Sequence, residues 1–150
     1  MTILRKANCW TENEEERKKI VQAIADAEAM TSGEIRLHIE AKCKNENVLD
    51  RATEVFFQLK MNETKEANGV LIYLAHDDKK FAIIGDKGIN QVVPANFWDG
   101  TKEVMSGHFK QNEFLQGILF AIQETGAHLK QYFPLQAGDK NELTNEISEG

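Results

Sequence analysis

The stretch that decides the fold is VLIYLAHDDKKFAIIG, residues 70–85. VLIYLA is a continuous apolar run, which is typical of a strand that is covered on both faces of a sheet. HDDKK is polar and predicts a turn, in which Asp77 and Asp78 are turn formers. FAIIG is rich in aromatic and β-branched residues, and it predicts a second strand that pairs with the first in a β-hairpin.

The residues before this hairpin predict two helices and a further strand. Apolar residues at helical spacing predict one helix over about residues 12–29, begun by a capping box of Thr11 and Glu14, and a second over about residues 48–59. Between them, EIRLHIEA alternates apolar and polar side chains over residues 34–41, which predicts a half-buried strand. The polar face of this strand carries Glu34, Arg36, His38 and Glu40.

Two more helices are expected after the hairpin. Pro94 suits the first turn of a third helix, and its apolar side carries Phe97, Trp98, Val104 and Met105. The last helix is expected over about residues 113–132 and is stopped by Pro134. Residues 135–150 are polar and acidic, so we expect a flexible tail after a single domain that spans residues 1–134.

The order of these elements predicts an α/β fold. A strand–helix–strand unit with helices before and after it favours a three-layer α/β/α sandwich, with a small mixed sheet of three to four strands and helices on both faces. The first two strands should be parallel and the third antiparallel. The loop at Asp86 then shares one edge of the sheet with residues 31–34 and 63–69, and the HDDKK turn lies at the opposite edge.

Composition excludes several classes of protein. With 41% apolar and 28% charged residues, the chain of 150 residues has the make-up of one soluble globular domain. A net charge of −6 disfavours nucleic acid as a partner. No apolar run approaches the roughly 18 residues of a membrane span, and the start of the chain does not read as a signal peptide. We therefore expect a cytoplasmic protein without a membrane span, and a monomer.

The cysteine and histidine patterns exclude the common zinc sites. Cys9 and Cys43 form no C-x-x-C pair, which excludes a Cys-rich zinc site and a dithiol redox motif. Free thiols are the expected state of both in a reducing compartment. The four histidines show no H-E-x-x-H spacing, and neither an EF-hand loop nor a G-x-S-x-G motif is present.

The loop GDKGIN, residues 85–90, is the main candidate for binding a ligand. It is not a G-x-G-x-x-G phosphate loop, and Asp86 would place a carboxylate against a bound phosphate. Calcium and magnesium, by contrast, prefer several oxygen ligands, mainly carboxylates. The expected metal ligands are Asp86, Asp99, Glu34, Glu103 and Glu63, with Glu66 as an alternative to Glu63. Turn formation by Asp86, helix capping by Asp99 and a solvated Glu34 are the structural alternatives.

The order of several short segments carries a resemblance to a known family. The segments are SGEI at 32–35, NGVLIYLAHDDKKFAIIGDKGIN at 68–90, FW at 97–98, FKQNEFLQGI at 109–118 and YFP at 132–134. Over roughly residues 12–134 the chain resembles the TPM domain family, which includes thylakoid-lumen proteins linked to photosystem II repair and many bacterial members. The resemblance implies a stand-alone cytoplasmic bacterial member with an α/β/α sandwich fold.

The resemblance also implies a function. Some members bind calcium or another divalent cation, and the thylakoid members have been assigned an acid phosphatase activity. The first expectation is a domain that binds Ca²⁺ or Mg²⁺, whose loops the metal orders and which has a regulatory or partner-binding role. The first alternative is a weak metal-assisted acid phosphatase with Asp86 as base. The second is a metal-free module that binds an unknown protein partner.

Overall fold

A computed structural model describes residues 13–135 and 143–150 of the chain. Within these residues the helices are α1 Glu14–Glu28, α2 Val48–Gln58, α3 Lys87–Asn90, α4 Asp99–Lys110 and α5 Phe114–Tyr132. The strands are β1 Glu34–Glu40, β2 Gly69–Ala75, β3 Lys80–Gly85 and β4 Ser148–Glu149, and a 3-10 turn spans Met61–Glu63.

The strands form one mixed sheet in the order β3-β2-β1-β4. β1 and β2 are parallel, with Glu34 opposite Gly69. β2 and β3 are antiparallel, with Val70 opposite Gly85. β4 adds to the free side of β1 as a short parallel strand, with Ser148 opposite His38. The predicted hairpin and the predicted mixed sheet are therefore confirmed.

Helices cover both faces of this sheet. On one face, α1, α4 and α5 pack Ile24, Met105 and Ile118 into a buried core with Leu37 and Ile72 of the sheet. On the other face, α2 packs Val55 and Phe56 against Leu71, Tyr73 and Ala82. Burial of apolar surface on both sides of the strands holds the three layers together. The α/β fold with a three-layer arrangement is confirmed.

Two predicted helix starts differ from the observed ones. Thr11 lies outside the described residues, and the capping box at the start of α1 is made by Asn13 and Glu16. The Asn13 side chain accepts from the Glu16 N–H at 2.8 Å, and the Asn13 N–H donates to Glu16 Oε1 at 3.2 Å. Pro94 lies in a turn, and the third predicted helix begins later, at Asp99 of α4.

The prediction of a half-buried β1 is wrong. Glu34, His38 and Glu40, on the polar face, are 3%, 4% and 3% exposed. The cause is long-range packing, because α2 lies over this face and the C-terminal strand pairs alongside it. Alternation of side chains along one strand predicts two faces, but not what covers them.

The last residues of the chain belong to the fold. Ile147 is 7% exposed and joins the larger core, and the Gly150 N–H donates to Ile39 O at 3.0 Å. The sequence predicts a flexible tail over residues 135–150. Within it, residues 136–142 lie outside the described part, whereas residues 143–150 are described and include β4. The domain boundary at Pro134 stays a prediction.

Candidate functional site

The loops at the start of β1 and β2 and at the end of β3 meet at one edge of the sheet. The Glu34 N–H donates to Asn68 O at 3.3 Å, and the Asp86 N–H donates to Gly69 O at 2.9 Å. At the opposite edge, the Asp77 N–H of the hairpin turn donates to Ala41 O at 2.8 Å. Asp86 therefore lies beside the loop that precedes β2, as the topology predicted from the sequence requires.

Asp86 is a buried acid, and one of its oxygens lacks a hydrogen-bond partner. The side chain is at the N-terminus of α3, where Oδ1 accepts from the Lys87 N–H at 2.8 Å. The residue is 6% exposed, and Oδ2 has no hydrogen-bond partner within the described structure. A buried oxygen without a donor or cation costs about 1–3 kcal/mol, and more if it is charged. Asp86 Oδ2 is thus an acceptor to which a ligand would add a favourable contact.

Close contact between two backbones fixes the loop beside Asp86. The Gly88 N–H donates to Ala67 O at 2.8 Å. A Cβ atom added at Gly88 would lie 2.4 Å from Glu66 O and 2.5 Å from Ala67 O, so the loop at residues 64–68 leaves no room for a side chain there. Glycine at this position is what lets two loops with carbonyl oxygens pack against each other.

A second carboxylate lies at the same edge, on the neighbouring loop. Glu66 Oε2 accepts from Ser32 Oγ and from Asn68 Nδ2, each at 3.1 Å. These hydrogen bonds orient the exposed carboxylate of Glu66 across the starts of β1 and β2. The loop at 64–68 therefore offers both backbone and side-chain oxygens.

Glu34 and Asp86 lie on opposite sides of β2. Gly69 pairs with Glu34 on one side and accepts from Asp86 N–H on the other. Because adjacent strands are about 4.8 Å apart, the two acids are about 10 Å apart at the backbone. On β2, between the two acids, Met61 and Leu143 pack against Gly69, within 4 Å of the position that a Cβ atom would take there. Glu34 Oε1 accepts from the Leu143 N–H at 2.8 Å, so this oxygen already has a partner.

The other three predicted ligands are on the surface. Asp99 and Glu103 are exposed on α4, and Glu63 is exposed on the 3-10 turn. In the part of the chain that the structure describes, no three His, Cys, Asp or Glu residues are grouped so that they could hold a metal ion. The five predicted ligands are thus not brought together as one cluster, and β2 separates the two buried ones, Glu34 and Asp86.

The structure contains a buried polar network that was not predicted from the sequence. Glu40 accepts from Arg51 Nε at 2.9 Å and from Arg51 Nη2 at 2.8 Å. Tyr73 OH donates to the same carboxylate, and His38 Nε2 lies 3.2 Å from Glu40 Oε1. His38 Nδ1 is 2.9 Å from Ser148 Oγ, which extends the network to β4. The alternating polar residues of β1 were the signal in the sequence that pointed to this network. The partners of Glu40 could not be predicted, because they come from elements that are distant in the sequence.

The partners of Glu40 determine its charge state. Burial alone raises the pKa of the Glu40 carboxyl, but hydrogen bonds from Arg51, Tyr73 and His38 outweigh it and hold the pKa at about 2. Burial and the hydrogen bond to Glu40 raise the pKa of Tyr73, and burial lowers the pKa of His38. Glu40 is therefore a charged acid whose oxygens already have partners, and its evident role is to tie α2, β1 and β2 together.

None of the helices in the described residues is both long enough and apolar enough to cross a membrane.

Two solved structures resemble this fold. The BA42 protein of the psychrophilic bacterium Bizionia argentinensis, solved by NMR, has 51% sequence identity and a TM-score of 0.86, with 92% of this chain and 94% of that chain covered. The N-terminal domain of the cg2496 protein of Corynebacterium glutamicum has a TM-score of 0.62 at 14% identity, with 78% and 73% of the two chains covered, and supports the fold alone. No curated protein matches the chain.

The family assignment rests on the sequence as well as on the fold. The model of the TPM domain matches residues 13–128, which covers α1 to most of α5. The matched range contains the hairpin, Asp86 and the neighbouring loop at 64–68. The chain belongs to the TPM domain family.

Proposed function

We propose that this TPM domain binds a divalent cation, calcium or magnesium, at the edge of the sheet where Asp86 follows β3. The observation that carries the proposal is the buried Oδ2 atom of Asp86, which has no hydrogen-bond partner within the described structure. A divalent cation is a partner that such an oxygen can take without a donor hydrogen.

Further oxygens are available on the neighbouring loop. The carbonyl oxygen of Glu66 lies against Gly88, two residues after Asp86, and the Glu66 carboxylate lies at the same edge. Calcium accepts six to eight oxygens in irregular arrangements, including carbonyls and water, so it suits a pair of loops better than magnesium does. The cation would link residues 64–68 to residues 86–90 and hold a loop surface for a protein partner.

The proposal uses part of the ligand set that the sequence predicts, together with its alternative Glu66. Asp86 and Glu66 are the preferred side-chain ligands. Glu34 is left out of the proposed site, because β2 separates it from Asp86. Asp99 and Glu103 on α4 are exposed and serve as controls.

Calorimetric titration of chelator-stripped protein with Ca²⁺ and with Mg²⁺ tests the proposal. Asp86→Asn removes the charge but keeps an oxygen that can accept from the Lys87 N–H, so α3 should still form. We expect the wild type to bind Ca²⁺ and Asp86→Asn to bind it about tenfold more weakly or not at all. The matched control, Asp99→Asn, removes one exposed carboxylate and should bind as the wild type does.

Two results would contradict the proposal. One is an absence of binding heat for both cations in the wild type. The other is undiminished binding by Asp86→Asn together with loss in Asp99→Asn, which would move the site to α4. Acid phosphatase activity, the metal-free interaction role, the cytoplasmic location and the monomeric state stay predictions from the sequence.

A further inference from the structure

A polar cleft that Asp86 does not line lies on the α2 side of the sheet. It has a volume of about 430 Å³ and is lined by residues that include Arg36, Lys60, Glu63, Thr64, Leu143 and Thr144. The cleft joins β1, the end of α2 and the C-terminal segment. This volume is within the range of about 300–1,000 Å³ that is typical of small-molecule sites.

Two buried groups that line this Arg36 cleft lack hydrogen-bond partners. Arg36 Nε, which can only donate, and Thr64 Oγ1 are both buried and have no partner in the described residues. Thr64 is 8% exposed. Such groups cost free energy unless a ligand or water satisfies them. Because Arg36 Nε is purely a donor and a hydroxyl can donate, the ligand that satisfies both must carry acceptor atoms.

The charges around the cleft favour an anion. Arg36 and Lys60 carry two positive charges, and no ion pair of either is found in the part of the chain that is described. Glu63 is the opposing charge in the lining, but it is exposed and free to turn toward water. Glu34, two residues before Arg36, has one oxygen bonded to the Leu143 N–H. In a chain with net charge −6, a partly buried arginine whose buried Nε has no partner among the described residues is an unusual feature.

We propose that the Arg36 cleft binds a phosphate group, either inorganic phosphate or that of a small phosphomonoester. The lining supplies a guanidinium, a hydroxyl and an ammonium, and a tetrahedral group carries enough oxygens for each of them. A planar carboxylate offers two oxygens. Asp86 does not line this cleft, so the inference does not depend on the proposed cation site.

Two-dimensional NMR of the ¹⁵N-labelled full chain, kept in chelator, tests the proposal with inorganic phosphate as the probe. We expect saturable shifts of backbone amides at residues 36, 60–64 and 143–144. Arg36→Gln should weaken binding about tenfold or more, and Thr64→Val should weaken it less. Glycerol 3-phosphate distinguishes the two sources: weaker binding than inorganic phosphate assigns the free ion, and equal or tighter binding assigns an ester.

Matched variants keep the test decisive if Arg36→Gln does not fold. Lys60 and Lys79 are both exposed, and both have a left-handed backbone, with φ of 56° and 52°. Lys60→Gln and Lys79→Gln therefore each remove one positive charge from a similar position. Only Lys60 lines the cleft, so only Lys60→Gln should weaken phosphate binding. Shifts that are absent, that respond equally to both lysine variants, or that acetate reproduces at the same concentration would overturn the proposal. Asp86→Asn should bind phosphate as the wild type does.

Discussion

At the scale of single residues, burial and partners decide what each acid can do. Glu40 and Asp86 are both buried, but the oxygens of Glu40 face Arg51, Tyr73 and His38, whereas Asp86 keeps an oxygen without a partner. Glu40 is therefore suited to stability and Asp86 to binding. The sequence alone does not separate them, because each is an acid at the end of a strand.

Removal of the buried charge of Glu40 should destabilise the protein strongly. Glu40→Gln leaves the buried Arg51 guanidinium with only the exposed carboxylate of Glu54 as an anion, so the free energy of unfolding should fall by about 3–5 kcal/mol at pH 7 in urea denaturation. Glu54→Gln is the matched control, because Glu54 bonds the same guanidinium at 3.2 Å but is exposed, and it should leave stability nearly unchanged.

The same network predicts a loss of stability in acid. The pKa of Glu40 is about 2 in the folded protein against an ordinary 4.5, so the ionised form favours folding. Its contribution is present above pH 4.5 and is lost as the pH falls toward 2. Glu40→Gln should lack this part of the acid transition, and an unchanged acid transition would contradict the role given to Glu40.

Glu28 should show the opposite pH dependence. Burial raises the pKa of the Glu28 carboxyl to about 7. The hydrogen bond from the Ile35 N–H opposes this rise, and the charge of nearby Glu34 adds to it. The protonated form favours folding, so its contribution is present below pH 4.5 and is lost as the pH rises through 7. Glu28→Gln should be more stable than wild type by about 1 kcal/mol at pH 8 and not at pH 4.5, measured by urea denaturation.

The exposed acid Asp26 provides the control on the same helix. Asp26→Asn should follow the wild-type profile of stability against pH, because its carboxylate bonds Gln22 at the surface. A Glu28→Gln variant with the same pH profile as wild type would show that Glu28 is ionised in the folded protein at neutral pH.

At the scale of elements, Gly88 joins α3 to the loop at 64–68. Gly88→Ala would place a methyl group 2.4 Å from Glu66 O, so the loops must separate. We expect a loss of about 1–3 kcal/mol in the free energy of unfolding, together with weaker Ca²⁺ binding. Gly107→Ala, in α4, adds a methyl group with no atom within 4 Å apart from its chain neighbours and the backbone of its own helix, so it should instead gain about 0.5–1 kcal/mol and bind Ca²⁺ normally.

The predictions of individual elements succeeded where the signal was local. The apolar run before the HDDKK turn predicts the hairpin, and topology then predicts that Asp86 lies beside the loop before β2. The burial of Glu40 was missed because Arg51, Tyr73 and Ser148 come from three other elements. The start of α4 was placed too early because proline also suits turns.

At the scale of the whole molecule, the two faces of the sheet have different roles. The face under α1, α4 and α5 is an apolar core, whereas the face under α2 mixes apolar packing with the Glu40 network and the Arg36 cleft. The fold and the edge that carries Asp86 could be predicted from patterning and topology. The ligand set stays a prediction, because which acids share a site depends on the spacing of strands that are far apart in the sequence.

The most direct test of the central claim is a pair of two-dimensional NMR spectra of chelator-stripped protein, without and with calcium. A cation at Asp86 predicts amide shifts confined to residues 63–69 and 85–90, absent from Asp86→Asn and present in Asp99→Asn. Unchanged spectra, or shifts centred on α4, would contradict it.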